Sequence, residues 1–207
     1  MNQSDEDLDV IEQRTLAHYD QNAESFWAGT QHHDVSQNIT AFLQALPKDR
    51  ALDILDFGCG PGRDLATFKA LGHHATGLDG SASFCQMAQT HSGCTTLHQQ
   101  FLKLDLDETS FDGIFANASL FHIPSLELPR ILKQLHKTLR PDGILFSSNP
   151  RGDSEGWQGA RYGHYMQLET TQGFLERAGF KMIHHYYRPE GLPRDQQPWL
   201  AMVSRRK

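Results

Sequence analysis

One seven-residue stretch constrains this chain more than any other. Residues 56–62 read AspPheGlyCysGlyProGly, directly after the apolar pair Ile54–Leu55. The next residues, RDLATFKAL at 63–71, place Leu65, Phe68 and Leu71 at helical spacing, and Gly72 stops the pattern. The stretch is therefore a glycine-rich turn from a strand into a helix. Such a turn lets the backbone pass close to a ligand and leaves the helix N-terminus open.

The same alternation continues along the chain. Ala75–Leu78 is a short strand ending at Asp79, and 81–91 is a helix opened by Ser81, a good N-cap. Strands are expected at 95–100 and 111–118. A helix is expected at 126–140, with Pro129 tolerable only in its first turn. ProAspGly at 141–143 is a turn into a strand at 144–148. A helix at 170–178 ends at Gly179, and 180–187 and 199–205 form a last pair of strands. This order predicts an α/β domain over 51–207 with a mostly parallel sheet and right-handed crossovers. Ligands in such folds sit beyond the carboxyl ends of the strands. Residues 1–50 fall outside the alternation. They read as two helices, near 9–27 and 35–46, forming an N-terminal helical cap over that crevice.

Charge and composition exclude several classes. The 207 residues suffice for one domain, and the formal net charge is −6. The basic cluster Arg205–Arg206–Lys207 is a poor footprint for nucleic acid, so a small-molecule partner is expected. No apolar run reaches membrane-spanning length, and MNQSDEDLDV lacks the basic start and apolar middle of a secretory signal. Cys59, Cys85 and Cys94 show no CxxC spacing, which fits a reducing, cytoplasmic setting. Twelve histidines invite a metal, but three adjacent pairs (His32–His33, His73–His74, His184–His185) do not converge on one ion. No HExxH or Cys-His framework occurs, so no metal is expected. Nothing in the chain sets an oligomeric state.

Two cofactor classes could use the glycine turn. A dinucleotide fingerprint needs glycine at its first, third and sixth positions, and the sixth position from Gly58 is Arg63. The pattern acid-x-Gly-x-Gly-x-Gly is matched in full by Asp56, Gly58, Gly60 and Gly62. It resembles motif I of the class I methyltransferases that use S-adenosylmethionine. Asp79 in GlyLeuAspGlySer, Gln100–Phe101, the segment 111–123 and LeuArgProAspGlyIleLeuPhe at 139–146 resemble the family's later signals in the same order. The resemblance runs from about 50 to 207. It implies a Rossmann-like seven-stranded sheet of order 3-2-1-4-5-7-6, the seventh strand antiparallel. It also implies S-adenosylmethionine as cofactor.

Carried onto these residues, Asp56 would draw the ligand's ammonium, and the turn Gly58, Cys59, Gly60, Gly62 with Arg63 would receive its carboxylate. Asp79, with Gly80 and Ser81, would accept bonds from the ribose diol. Gln100, where the family often has an acid, and Phe101 would flank adenine. Asn117 and Ala118 would pass beneath the methionine part. Tyr19, in HisTyrAspGlnAsnAla, resembles an aromatic that closes over the cofactor. Cys59 reads as a small residue in the turn rather than a reactive thiol. Within the family the chain is similar to small stand-alone enzymes, including tellurite-resistance and thiol or thioether methyltransferases. GlyArgAsp at 62–64 resembles the Gly-Arg-Asn of the tellurite group, Asp64 being a departure.

Methyl transfer from a sulfonium is an in-line displacement governed by positioning, and a base matters only if the nucleophile must lose a proton. His122 is the candidate base, or else a histidine bonded to backbone. EGWQGARYGHY, 155–165, reads as a mobile loop on the ligand side, or as a lid packed on its own aromatics. Arg151 and Arg161 could clamp an oxyanion, and Trp157, Tyr162 and Tyr165 could wall in a flat or cationic group. Tyr165 is a second catalytic candidate, and His33 could face the pocket from the cap. The expected activity is methyl transfer to a small-molecule N, O or S/chalcogen nucleophile. The rival readings are an NAD-type oxidoreductase on a related sheet and a non-catalytic S-adenosylmethionine-binding protein.

Overall fold

The computed structural model describes residues 5–207. Residues 1–4, which begin both the segment read as lacking a secretory signal and the expected cap, lie outside the described residues. The chain opens with three helices, α1 (Asp5–Gln21), α2 (Ala23–Thr30) and α3 (Ser36–Gln44). Then come β1 (Asp53–Phe57), α4 (Arg63–Ala70), β2 (His74–Asp79), α5 (Ala82–Ser92), β3 (Thr95–His98) and β4 (Phe111–Asn117). The second half runs α6 (Leu128–Thr138), β5 (Leu139–Pro150), β6 (Glu155–Gln158), β7 (Arg161–His164), α7 (Leu168–Arg177), β8 (Phe180–Arg188) and β9 (Trp199–Arg206). Seven strands make one sheet of order β3-β2-β1-β4-β5-β9-β8, with β9 antiparallel to both neighbours. With the β6–β7 hairpin set aside, this is the expected order. No helix among the described residues is long and apolar enough to cross a membrane.

Both sheet faces are covered, so the central strands are apolar on both sides. Ile54, Phe115, Ile144 and Phe146 point to one face and pack with Phe68 of α4 and with Ile39 and Phe42 of α3. Their chain neighbours Leu55, Ile114 and Leu145 point to the other, against Ile131, Leu132 and Leu135 of α6 and Leu175 of α7. Gly113 in β4 is what admits Phe42. A Cβ there would stand 2.5 Å from the Phe42 ring. So α3, expected as part of the cap, is a core layer of the sheet, and only α1 and α2 lie over the crevice.

Three other expectations change. The single helix expected over 9–27 breaks at Asn22, whose side-chain amide donates to the His18 carbonyl at 2.7 Å and so competes with the helical ladder. The ProAspGly turn is enclosed within β5. Phe111 pairs with Leu139 but Gly113 with Ile144, so extra β5 residues bulge out around Asp142 at φ 63°. EGWQGARYGHY is not a loop. It is the antiparallel hairpin β6–β7, with Gly159 at φ 66° in its turn and Trp157 facing Tyr162 across the strands.

Phe42→Ala should lower unfolding free energy by about 3–5 kcal/mol, the range for emptying a fully buried aromatic site. Urea denaturation checks this, and a loss under about 1 kcal/mol would mean that α3 is not part of the core.

Candidate active site

A cavity of about 760 Å³ opens beyond the carboxyl ends of β1, β2, β4 and β5. Its floor is the turn Gly58–Pro61, Asp79–Gly80, Asn117–Ser119 and Ser148, and its walls include α1, α2 and Arg161 of the hairpin. This size suits a small ligand.

The floor is organised by Asp79, which is buried at the tip of β2. One carboxylate oxygen accepts from the Gly60 N–H at 3.0 Å and the other from the Ser81 N–H at 2.9 Å. Desolvation nevertheless pushes its pKa up to about 6, and those backbone donors only partly oppose the rise. Gly58 lies where β4's following loop closes in. A Cβ there would stand 2.4 Å from Ser119 Cβ and 3.2 Å from the Phe101 ring. Phe101 stacks on Phe57 at 4.3 Å between centroids and also lines the cavity.

Below the turn, Asp56 is buried with Oδ2 lacking a hydrogen-bond partner. Burial, and secondarily the nearby Asp64 carboxylate, hold its pKa well above the usual carboxylate range. A buried acceptor left open in this way suits a cationic group. Arg63 is already engaged. Nε and Nη2 donate to Asp64 at 2.7 and 3.0 Å, and Nη1 donates to the Thr30 carbonyl at 3.0 Å, fastening the end of α2 to the turn. Asp64 also accepts from Asn117 Nδ2 at 3.2 Å. Asn117 Oδ1 accepts from Asn38 Nδ2 at 3.0 Å, and Asn38 Oδ1 accepts from the Tyr186 hydroxyl at 2.8 Å. The uncapped N-terminus of α4, glycine backbone, a buried unpaired carboxylate oxygen and a flanking aromatic together fit S-adenosylmethionine.

The opposite wall centres on three side chains from separate elements. His122 Nδ1 donates to the Tyr162 carbonyl at 2.7 Å, which leaves Nε2 as the acceptor for the Tyr19 hydroxyl at 2.8 Å. Arg161 Nη1 donates to the same tyrosine oxygen at 3.2 Å. Burial holds the His122 pKa down to about 4 and pushes that of Tyr19 up, so both are neutral near pH 7. With both ring nitrogens taken, His122 is placed to orient Tyr19 rather than to act as a free base. Phe26 and Phe84 pack on Tyr19 at 5.6 and 5.5 Å and line the same wall.

The structure brings Tyr19, His33, Gly58, Cys59, Gly60, Arg63, Asp79, Gly80, Phe101, Asn117, Ala118, His122 and Arg161 to the cavity. Others do not line it, among them Asp56, which is buried beneath the turn. Gly62 packs against Ala88, and Ser81 caps α5 while donating to Asp20 at 2.6 Å. Gln100 lies off the lining. Arg151 points away, donating to the carbonyls of Gln197 and Arg194. Trp157 carries the Arg14 guanidinium 4.0 Å from its ring centroid. The Tyr162 side chain is buried beneath the hairpin, its hydroxyl donating to Glu155 at 3.1 Å. Tyr165 packs on Phe121. Strand alternation explains this pattern, because within β7 Arg161 faces the cavity and Tyr162 the opposite side. Burial pushes the Cys59 thiol up, against reactivity. Among the described residues no cluster of three His, Cys, Asp or Glu is placed to hold a metal.

The sequence did not single out Phe26, Trp27 and Thr30 of α2, or Arg188 and Trp199, which reach the cavity from the paired ends of β8 and β9. The aromatic pair in SerPheTrp was the available signal for α2; Arg188 and Trp199 carried none.

Residues 54–143 match a family model described as a methyltransferase domain. A trans-aconitate 2-methyltransferase of Azoarcus sp. (strain BH72) is 31% identical over 144 residues, covering 68% of this chain and 54% of that protein. A malonyl-[acyl-carrier protein] O-methyltransferase of Pectobacterium atrosepticum is 30% identical over 122 residues, 56% of this chain and 47% of that protein. The chain spans about half the length of these curated relatives. Among solved structures, the Burkholderia thailandensis 1,6-didemethyltoxoflavin-N1-methyltransferase, with bound 1,6-didemethyltoxoflavin and S-adenosylhomocysteine, superposes with a TM-score of 0.78. It is 21% identical, and the match covers 99% of this chain and 91% of that one. The sheet order and the glycine turn with Asp79 are those that the sequence resemblance implies, and residues 54–143, which hold the turn and Asp79, match the methyltransferase-domain model.

Proposed function

We propose that the chain transfers a methyl group from S-adenosylmethionine to a small-molecule nucleophile by in-line displacement. The observation that carries this reading is the placement of Asp79 and the glycine turn on one side of a single cavity, with Tyr19 and Arg161 on the other. Bound in it, S-adenosylmethionine supplies an activated methyl group on a sulfonium. Asp79 would accept the ribose hydroxyls, Phe101 would pack on the adenine, and Asp56, beneath the turn, would draw the ammonium through water or backbone. The backbone around Gly58 and Gly60 and the residues Asn117 and Ala118 would support the rest. Phe26 and Phe84 exclude water from the reacting side, and His122 fixes Tyr19 through its hydroxyl. Arg161 and His33 would meet the acceptor. The cavity's modest size and the chain's net charge of −6 support a small molecule over nucleic acid.

A thermal-shift panel separates this reading from an oxidoreductase. S-adenosylmethionine or S-adenosylhomocysteine at about 100 times its dissociation constant should stabilise the fold by about 2.7 kcal/mol, and NADH should not. Stabilisation by NADH alone would sink the proposal.

The Asp79 carboxylate also sets a pH dependence. Its folded pKa of about 6 lies above the ordinary 3.8, so between these values the native chain keeps a proton that the unfolded chain has lost. Ionising Asp79 therefore costs stability as pH rises through that window, whereas ribose binding uses the ionised form. S-adenosylmethionine affinity, measured by titration calorimetry, should be flat above about pH 7 and weaken as pH falls below about 6. Asp79→Asn should bind at least about tenfold more weakly at about pH 8 and lose that pH dependence. Wild-type affinity in the Asp79→Asn variant would remove Asp79 from the site.

A further inference from the structure

The methyltransferase reading leaves the acceptor open, and the wall around Arg161 narrows it. Arg161 lines the cavity and forms no ion pair among the described residues. It donates one hydrogen bond to the Tyr19 hydroxyl and lies 5.7 Å from that ring's centroid. By contrast, Arg63 in the same cavity is neutralised by Asp64. A part-buried guanidinium keeps several donors, in a planar fork that matches two oxygens of an oxyanion. In a chain of net charge −6, an arginine without an acidic partner, held at a cavity wall, is a built anion contact.

The same wall lacks a free base. The groups bonded around Arg161 are Tyr19 and His122, and they satisfy one another. The tyrosine proton points to His122 Nε2, and the proton on His122 Nδ1 points to the Tyr162 carbonyl. Taking a further proton onto this pair would create an imidazolium close to Arg161, in a site whose burial already disfavours charge on His122. The cavity's carboxylates are used elsewhere. Asp79 and Asp64 hold the glycine-turn side, Glu12 accepts from the Leu102 N–H at 3.0 Å, and Asp34 caps the Ser36 N–H at 2.9 Å. His33 lines the cavity from the turn after α2 and is exposed to solvent.

We propose that the methyl acceptor is a small carboxylate, held through Arg161 and methylated on oxygen without prior loss of a proton; this rests on the methyltransferase reading above. Arg161 holds one carboxylate oxygen, and the other forms the new O–CH3 bond as the S–CH3 bond breaks with its electron pair retained on sulfur. The carboxylate's negative charge and the sulfonium's positive charge vanish together, giving a neutral ester and a neutral thioether, and no proton moves. In a cavity lined by Phe26, Trp27 and Phe84, loss of both charges favours the forward step. The ester also forfeits the charge-assisted bond to Arg161, which favours its release. This acceptor differs from the soft chalcogen that the GlyArgAsp resemblance kept open.

The test rests on the chemistry of the product. Carboxyl methyl esters release volatile methanol in alkali, whereas N-methyl and S-methyl groups do not. The purified protein is incubated with methyl-tritiated S-adenosylmethionine and separate pools of small carboxylic acids, amines and thiols, together with the low-mass fraction of a bacterial extract. The expected result is alkali-volatile label, lowered at least about tenfold by Arg161→Gln and partly restored by Arg161→Lys. S-adenosylmethionine affinity, measured by calorimetry, should stay within about twofold for both variants, which also shows that they fold. Alkali-stable label in the amine or thiol pools would overturn the carboxylate assignment while leaving the methyltransferase reading in place. Alkali-volatile label insensitive to Arg161→Gln would overturn the role of Arg161. Failure of the wild-type protein to bind S-adenosylmethionine would instead remove the reading on which the proposal rests.

Discussion

The buried Asp79 carboxylate fixes the geometry on which the cavity depends. Its two oxygens reach the Gly60 N–H on the turn after β1 and the Ser81 N–H at the start of α5. One side chain thus joins the tip of β2, the glycine turn and a helix N-terminus. Ser81 extends the same junction by donating to Asp20 at the end of α1. The cost is visible in the raised pKa, because two backbone donors do not replace the water lost on burial. A carboxylate kept in that condition has acceptor capacity left for a ligand's hydroxyls, which is how a desolvated floor becomes a receptive one.

The roof is assembled differently. α1 and the hairpin β6–β7 hold each other through Thr15 Oγ1, which accepts from the Tyr162 N–H, through Arg14, which donates to the Gly159 carbonyl, and through the Arg14–Trp157 stack. Arg161 and Tyr19 complete the seam inside the cavity. The aromatic content of the hairpin therefore serves mainly to build one composite wall from two segments far apart in the chain. What faces the ligand is the single arginine left between the packed side chains.

Much of the sheet was legible because hydrophobic period and glycine punctuation are local signals. β1, β2, β4 and the helices between them fall within a residue or two of their expected bounds. The glycine turn and Asp79 were legible for the same reason, since both sit at fixed offsets from strand ends. What failed to show depends on partners far away in the chain. Phe42 looks like any amphipathic-helix residue until Gly113 makes room for it in β4. The hairpin hid because Gly156 and Gly163 read as loop residues, though they pair across the two strands. Arg151 and Arg161 are chemically identical in sequence. Only the pleat of β7 and the carbonyls beside β9 decide that one faces the cavity and the other does not. His122 was found by position, and of its two readings the geometry matches the histidine bonded to backbone; the sequence left both open because the two groups that occupy its nitrogens come from α1 and β7.

The line of side chains from Tyr186 through Asn38 and Asn117 to Asp64 and Arg63 has one further consequence. A carboxylate can only accept, so Asn117 must turn its NH2 toward Asp64 and its oxygen toward Asn38. Asn38 must then do the same toward Asn117 and Tyr186, and the tyrosine proton is left a single direction. The charge at one end thus polarises the whole chain in one sense and removes every alternative amide orientation along it. A row of neutral amides would have two near-equivalent arrangements. This row has one, and it reaches from the outermost strand of the sheet to the rim of the glycine turn. The fold carries, beneath its binding floor, a directional polar register that admits a single packing of α3 against β4 and β8.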